Sequence, residues 1–468
     1  MAAMNDFVTF VLDGNLVNLQ FGPATGLTPT TTVLNYLRGL PEHRGVKEGC
    51  AEGDCGACTV VVGELADHQM IKYRAVDSCL IFLPMLHGKQ LVTIENLKYP
   101  NGQLHPVQQA MVDSHGSQCG FCTPGIVMSL FALSKNVQHP NAEDAKVALA
   151  GNLCRCTGYR PIIDAAVKAS TAHENDRFAV DRKQTIKMLK TISAESLSVV
   201  TATQRYDQPA TLKECLVLTK KFPTAIIVNG ATDVALRVTK KFELLPHIID
   251  ISRAVPLTKV SRTNSALTIG AGVGINDLMK VVKKDFPALY NMLNVFGADQ
   301  IRNTATLGGN IGTASPIGDV LPVLIAYDAR IVLSSTRSKR TVKSDKFVTG
   351  YRKTERKPDE LISAVILPLP AKTLRIRAYK VSKRHDLDIA TVSAGFRVEL
   401  SANGIVKSIA LAYGGMAERT KRAAPSRESP GIATESPRES DRGQSRSRDP
   451  SRNPSRTAPL CRASRSLR

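Results

Sequence analysis

A chain of 468 residues, 43% of them hydrophobic, is too long for one core and is expected to divide into roughly three or four domains. It holds no apolar run of about eighteen residues, which excludes a membrane-spanning helix, and Met1 to Phe10 carries Asp6 without a basic stretch, unlike a signal peptide. A cytoplasmic protein is therefore expected, and the net charge of +21, part of it from an arginine-rich final stretch, reads as solvated surface rather than a nucleic-acid face.

In chain order, Phe7 to Leu12 and Leu16 to Phe21 flank Asp13-Gly14-Asn15, a hairpin signal, and Thr32 to Arg38 reads as a short helix. There follows Cys50-Ala51-Glu52-Gly53-Asp54-Cys55-Gly56-Ala57-Cys58, answered by Cys79. Thiols spaced C-x4-C-x2-C with a fourth further on have the ligand spacing of a plant-type [2Fe–2S] site, and the spacing suits the usual zinc pairs poorly. The glycines would let backbone N–H groups approach the charged sulfurs. Thr59 to Val62 and Leu91 to Ile94 read as strands. Together these predict a small ferredoxin-like α+β domain over residues 1–95.

A second cysteine set lies among helical signals. Cys119-Gly120-Phe121-Cys122 is followed by Thr123 as N-cap, Pro124 as first helical residue, and Ile126, Leu130 and Leu133 on one face. Asn141 reads as a second cap, with Glu143 and Asp144 in the first turn and Gly151 as the stop. Cys154-Arg155-Cys156 follows at once, and Pro161 opens a helix through Ala169. The C-x2-C and C-x-C pairs would meet in an all-helical domain over 96–172. Zinc is an alternative for this set taken alone, but its place behind a ferredoxin-type set favours a second iron–sulfur centre. Cys215, in a helical apolar pattern, reads as a buried small hydrophobe, and Cys461 is left over.

The first loop, Ser117-Gln118-Cys119-Gly120-Phe121-Cys122-Thr123-Pro124-Gly125 and Gly151-Asn152-Leu153-Cys154-Arg155-Cys156-Thr157-Gly158-Tyr159-Arg160 resemble the iron–sulfur signatures of the xanthine dehydrogenase family of molybdenum hydroxylases. The resemblance implies that Cys119, Cys122, Cys154 and Cys156 hold the cluster nearest a molybdopterin. It implies that Cys50, Cys55, Cys58 and Cys79 hold a second cluster passing electrons towards flavin. Gln118 and Cys156 match positions that approach the pterin.

Residues 173–200 show no strong period and read as a linker. Ala225 to Asn229 is a short apolar run ending in Gly230-Ala231-Thr232-Asp233, where backbone N–H groups and Thr232 could receive a phosphate, although a plain strand-to-helix turn fits equally. Gly270-Ala271-Gly272-Val273-Gly274 is not a dinucleotide fingerprint, because Ile275 stands where its third glycine would be. Phe296 to Asn310, continuing to Thr313, Ser315-Pro316 and Asp319, is dense in small and polar residues that suit a long cofactor lying against backbone.

This last stretch is similar to the flavin-binding segment of the same family. By that resemblance Ile227, Val228, Asn229, Gly230, Ala231, Thr232, Asp233 and Val234 would hold the FAD pyrophosphate, and Phe296 would pack on the flavin system. Thr306, Leu307, Gly308, Gly309, Asn310 and Asp319 would bind the remaining polar groups, with Ile362 and Lys380 as further contacts. Tyr351, in Gly350-Tyr351-Arg352-Lys353-Thr354, resembles the aromatic residue that neighbours flavin and the approaching nicotinamide in the dehydrogenase branch, which implies NAD as acceptor; by itself it is an ordinary loop aromatic.

Ala394 to Leu400 and Ser408 to Tyr413 read as strands of a further α+β domain, and the resemblance stops near Ala424. From Pro425 to Arg468 the chain is rich in Ser, Arg and Pro with hardly an aliphatic run, expected to be a disordered tail from a frameshifted or misjoined reading frame. The whole predicts an α+β multidomain chain. Its parts are a ferredoxin-like β-grasp [2Fe–2S] domain (1–95), a helical [2Fe–2S] domain (96–172), a linker (173–200), an α/β FAD-binding domain of two subdomains (201–375), a truncated α+β C-terminal domain (376–424) and the tail (425–468). The implied partner is a molybdopterin-binding large subunit oxidising hypoxanthine or xanthine in a hetero-oligomer, with no membrane and no nucleic acid. Alternatives are the same role in an aldehyde- or carbon monoxide-oxidising relative, or a noncatalytic iron–sulfur scaffold.

Overall fold

The computed structural model describes residues 6–66, 69–169, 176–192 and 195–423; the expected tail over 425–468 lies outside them. Residues Met1–Ala424 form one compact unit.

Strands β1 (Val8–Leu12), β2 (Asn15–Leu19), β3 (Thr59–Ala66), β4 (Met70–Asp77) and β5 (Gln90–Val92) build a sheet in the order β2-β1-β5-β3-β4. The β1–β5 pair is parallel and the other pairs are antiparallel. Asp13 and Gly14 turn the first hairpin at φ of 52° and 79°, the left-handed geometry a two-residue loop needs to match strand twist. Thr32 caps the helix Val33–Gly39, its hydroxyl accepting from the Asn35 N–H at 3.2 Å.

Successive side chains of a strand point to opposite faces, and here both faces are covered. Val60 and Val62 face Val33, Leu34 and Leu37 in a core that also takes in Leu197, Val199, Tyr206 and Ile248. Val61, Ala75 and Val92 face Ile126, Leu130 and Phe131 of the helical segment. Apolar packing therefore runs continuously past residues 95 and 200, the positions where the sequence suggested boundaries.

The helical segment comprises Pro106–Asp113, Thr123–Asn136, Ala142–Leu149 and Arg160–Ala169. Asn141 caps the third as expected, accepting from the Glu143 and Asp144 N–H groups. Thr123 does not cap the second. Cys122 takes that place without a side-chain cap, and the Thr123 hydroxyl pairs with Ser117 at 2.6 Å instead. The stretch read as a linker folds into helices Arg177–Val180 and Arg182–Thr191. Asp176, wholly buried, anchors it through His105 Nε2 at 2.9 Å and Lys135 Nζ at 2.5 Å. The first is a single turn and the second is mostly polar, so local periodicity could not reveal them; tertiary pairing fixes them.

Two sheets follow. In the first, β6 (Leu197–Val200), β7 (Arg205–Gln208), β8 (Ile226–Val228) and β9 (His247–Asp250) run in the order β6-β7-β9-β8, with β9 parallel to both neighbours. The second is antiparallel, with β10 (Val260–Arg262), β11 (Ala266–Gly270), β12 (Arg330–Ser334) and β13 (Lys339–Lys343). After the small hairpin β14 (Val348–Gly350) and β15 (Lys353–Thr354), β16 (Leu361–Pro368) returns to its centre, giving β10-β11-β16-β12-β13. Helices Ile275–Val282, Pro287–Asn294, Leu307–Thr313 and Val320–Ala326 share its core.

Strands β17 (Leu374–Val381), β18 (Val392–Leu400), β19 (Val406–Gly414) and β20 (Lys421–Arg422) form a last antiparallel sheet. One face lies on helix Val320–Ala326 so closely that a Cβ on Gly395 would stand 2.2 Å from the Pro322 carbonyl. The other carries the ring row Tyr379, Phe396 and Tyr413 beside Ile409, with Tyr379 and Ile409 half-exposed among the described residues.

Candidate functional site

The eight cysteines come together as two sets of four, each made of two thiol pairs. In the first, Cys58 and Cys79 lie 3.4 Å apart and are buried, while Cys50 and Cys55 interact thiol to thiol. In the second, Cys119 and Cys156 lie 3.5 Å apart at the surface, and Cys122 pairs with Cys154. Among the described residues no three His, Cys, Asp or Glu side chains are grouped as a single metal ion would need. Four thiols arranged as two pairs could serve a two-metal centre in which each iron takes two thiolates.

The local chemistry fits such a centre. The hydrogen bond to Cys55 pulls the Cys50 thiol down to about 5, and the same contact drives Cys55 upward. Two sulfurs that close cannot both ionise unless a cation lies beside them. The Asp54 N–H donates to Cys50 Sγ at 3.2 Å, and the Glu52 N–H at 3.4 Å. Glycines permit close packing here: a Cβ on Gly49 would meet Cys55 Sγ at 2.9 Å, and one on Gly125, in the helical segment, would meet the Gly56 carbonyl at 2.1 Å.

The two cysteine loops touch. The Leu153 N–H donates to the Cys55 carbonyl at 3.0 Å, and Asn152 Nδ2 to the Gly56 carbonyl at 3.0 Å. On its other side the first loop meets a cleft of about 700 Å³ between the two middle sheets. A Cβ on Gly53 would stand 2.9 Å from Ile301 Cδ1, and Ile301 lines that cleft. Lys240 reaches the Cys50 carbonyl at 3.1 Å, and Arg384 reaches Asp54 at 3.2 Å.

Most of the sequence-predicted flavin residues line the cleft: Ile227 to Val234, Phe296, Thr306, Gly308, Gly309, Asn310, Asp319 and Ile362. Gly230 and Gly308 permit close backbone approach, since a Cβ on either would stand 1.8 Å from the Thr304 carbonyl or 2.5 Å from Ala271 Cβ. Thr306 caps helix Leu307–Thr313, accepting from the Gly309 N–H at 3.1 Å. Asn310 Oδ1 and Asp319 Oδ1 are buried without a hydrogen-bond partner. Orphaned acceptors on a glycine-walled cleft fit a ligand bearing hydroxyl and amide donors, as FAD does.

Three predicted residues stand elsewhere. Leu307 is wholly buried in the core behind the cleft. Lys380 lies beneath the lining, its Nζ 2.8 Å from both Asp319 Oδ2 and the Val295 carbonyl. Burial raises the Asp319 carboxyl above its ordinary value, with Lys380 opposing that rise. Tyr351 is 62% exposed at the turn between β14 and β15 and is not in the cleft wall; its neighbour Arg352 is, paired with Asp233 at 2.9 Å. Arg352, Arg356 and Ile301 carry no individual sequence signal, although Arg352 and Ile301 lie inside the quoted motifs. A second cavity, of about 610 Å³ near Leu257 and Lys339, holds none of the predicted residues. Cys215 is buried and its thiol is pushed up to about 12 by that burial, as suits an inert core residue.

A family model described as the [2Fe-2S] binding domain matches residues 93–167, one described as the FAD binding domain in molybdopterin dehydrogenase matches 201–370, and the CO dehydrogenase flavoprotein C-terminal domain matches 377–428. Xanthine dehydrogenase of Drosophila pseudoobscura pseudoobscura is 35% identical over 452 residues, covering 85% of this chain and 34% of that protein. Over most of its length the chain is thus similar to xanthine dehydrogenases, and it carries matches to [2Fe-2S] and FAD binding domains. Xanthine dehydrogenase/oxidase of Gallus gallus is 35% identical over 465 residues, covering 84% of this chain and 34% of its own length. The chain spans about a third of the length of the curated relatives it matches. A solved carbon monoxide dehydrogenase from Hydrogenophaga pseudoflava aligns at 26% identity and a TM-score of 0.44, over 46% of this chain and 76% of that one. Among the described residues no helix is long and apolar enough to cross a membrane.

Proposed function

We propose that this chain is the electron-transfer small subunit of a xanthine dehydrogenase, taking electrons from a molybdopterin-binding large subunit that oxidises hypoxanthine or xanthine and delivering them to NAD. The observation that carries this reading is contiguity. The surface cysteine set touches the buried set through Leu153 and Cys55, and the buried set touches the cleft through Gly53 and Ile301. When bound, two [2Fe–2S] clusters and FAD would supply the one- and two-electron redox chemistry.

The chain's own residues bind, insulate and orient. Cys50, Cys55, Cys58 and Cys79 would hold one cluster and Cys119, Cys122, Cys154 and Cys156 the other. Cys119 and Cys156 are exposed beside half-exposed Phe121 and Leu153, an apolar surround that a large subunit would cover. The 227–234 and 306–310 loops would grip FAD by backbone, with Asp319 held in place by Lys380. Arg352 lines the cleft paired with Asp233, and exposed Tyr351 beside it is the residue we assign to the approaching nicotinamide.

The test is an anaerobic titration of the purified full chain with NADH, read by absorbance, together with iron and acid-labile sulfide analysis. The reading expects about four irons and about four sulfides per chain and bleaching of flavin and iron–sulfur bands by NADH. Zinc filling either cysteine set, or bands that NADH leaves untouched while dithionite bleaches them, would refute respectively the cluster assignment and the acceptor.

A further inference from the structure

One buried polar cluster is shared by all three candidate cofactor sites and contains none of their predicted ligands. Gln300, Asn152 and Ser129 are essentially inaccessible to solvent. Gln300 lies on the short helix Asp299–Arg302 in the flavin loop, Ser129 on Thr123–Asn136, and Asn152 two residues before Cys154. The Gln300 Nε2 faces three acceptors: Ser129 Oγ at 2.8 Å, the Ala148 carbonyl at 2.9 Å and Asn152 Oδ1 at 2.9 Å. Ser129 Oγ in turn donates to Asn152 Oδ1 at 2.6 Å, and Asn152 Nδ2 donates to the Gly56 carbonyl at 3.0 Å and to Thr59 Oγ1 at 3.1 Å.

The cluster is built tightly enough to transmit position. A Cβ on Gly151 would stand 2.2 Å from Gln300 Oε1, and one on Gly56 would stand 2.5 Å from Asn152 Nδ2. Gln300 Oε1 itself has no hydrogen-bond partner, a cost that a buried amide avoids unless its other end is held. The cluster borders each site: Gly56, which accepts from Asn152, follows Cys55, Asn152 precedes Leu153 and Cys154, and Gln300 precedes Ile301 in the cleft wall. A shift of one amide is therefore felt at both cysteine loops and at the cleft.

We propose that Gln300, Asn152 and Ser129 are positioning residues that set the spacing of the flavin cleft and the two cysteine sets, and so the rate of electron passage between them. This inference rests on the assignment of those sites to FAD and two [2Fe–2S] clusters. Among ordinary interdomain contacts, an amide whose hydrogen bonds fan out to two loops at once is suited to fixing relative position because its geometry is directional.

The experiment compares the full chain with Gln300→Leu and Ser129→Ala, each reconstituted with iron, sulfide and FAD. Metal and flavin contents are measured first. Magnetic broadening between the two dithionite-reduced clusters is then read by electron paramagnetic resonance, and cluster bleaching after flavin reduction by NADH is timed in stopped flow. Full contents with altered broadening and bleaching slowed roughly tenfold or more are expected for Gln300→Leu, with a smaller effect in the same direction for Ser129→Ala. Should Gln300→Leu fail to load its centres, Ser129→Ala, which removes one hydroxyl, carries the decision. Loaded variants with wild-type broadening and bleaching would overturn the positioning role. A wild-type chain that never loads clusters or flavin would overturn the underlying site assignment instead.

Discussion

Gly230 offers the sharpest test of the cleft. Its φ is an ordinary one, so replacing it with alanine adds steric conflict without backbone strain. The new Cβ would stand 1.8 Å from the Thr304 carbonyl oxygen and 2.6 Å from its carbon, both backbone atoms that cannot swing aside. A carbon and a carbonyl oxygen sit comfortably at about 3.3 Å, so the two walls must part by about 1.5 Å. Overpacking of this kind costs about 1–3 kcal/mol. The free protein relieves it by opening the cleft, and FAD must close the cleft again. If the cost falls wholly on binding, the Kd for FAD rises about five- to hundredfold. Quenching of flavin fluorescence on titration gives the Kd, and iron content with the thermal midpoint shows that the rest of the chain is intact. Gly309→Ala is the internal comparison, since its Cβ would meet only the Thr306 hydroxyl, at 2.9 Å, and a much smaller change is expected. A folded Gly230→Ala chain that binds FAD as tightly as the wild type would refute the placement of flavin against this wall.

Two further outcomes follow from buried charge. Lys380→Met leaves Asp319 buried without its cation and should lower stability by about 3 kcal/mol near neutral pH in chemical denaturation. Burial already raises the Asp319 carboxyl, so the folded variant binds a proton that the unfolded chain releases, and its stability should fall as pH rises; adding Asp319→Asn should restore much of it. Asp207 behaves in the opposite sense. Burial pushes it up, but hydrogen bonds from His247, Arg205 and Ser198 prevail and hold it at about 2. The unfolded chain then binds more protons between about pH 4 and pH 2, so about 2 kcal/mol of stability present above that window should vanish as pH falls through it. Asp207→Asn should flatten this part of the acid-unfolding profile, and an unchanged profile would sink the assignment.

Much of this protein was legible residue by residue because the relevant signals are local. A hairpin is written in Asp13-Gly14 and a helix start in Asn141 with acids in its first turn, since each depends on neighbours a few residues away. The stretch Phe296 to Asn310 announced a backbone-walled site for the same reason: small residues permit close approach wherever the chain goes. The sequence did not disclose which partners those residues meet. That the first sheet is covered on both faces, one by the helical segment and one by strands near residue 200, is a matter of contacts between distant segments. Tyr351 and Arg352 are adjacent in sequence, yet only the β14–β15 turn decides that Arg352 enters the cleft wall while Tyr351 points outward. Leu307 sits inside a flavin-like motif but turns to the core because the helix it begins has only one face on the cleft. Gln300, Asn152 and Ser129 carry no motif between them. Their significance exists only once three segments, far apart along the chain, converge on one buried amide, because a hydrogen-bond network is defined by distances across space and not by order along the backbone.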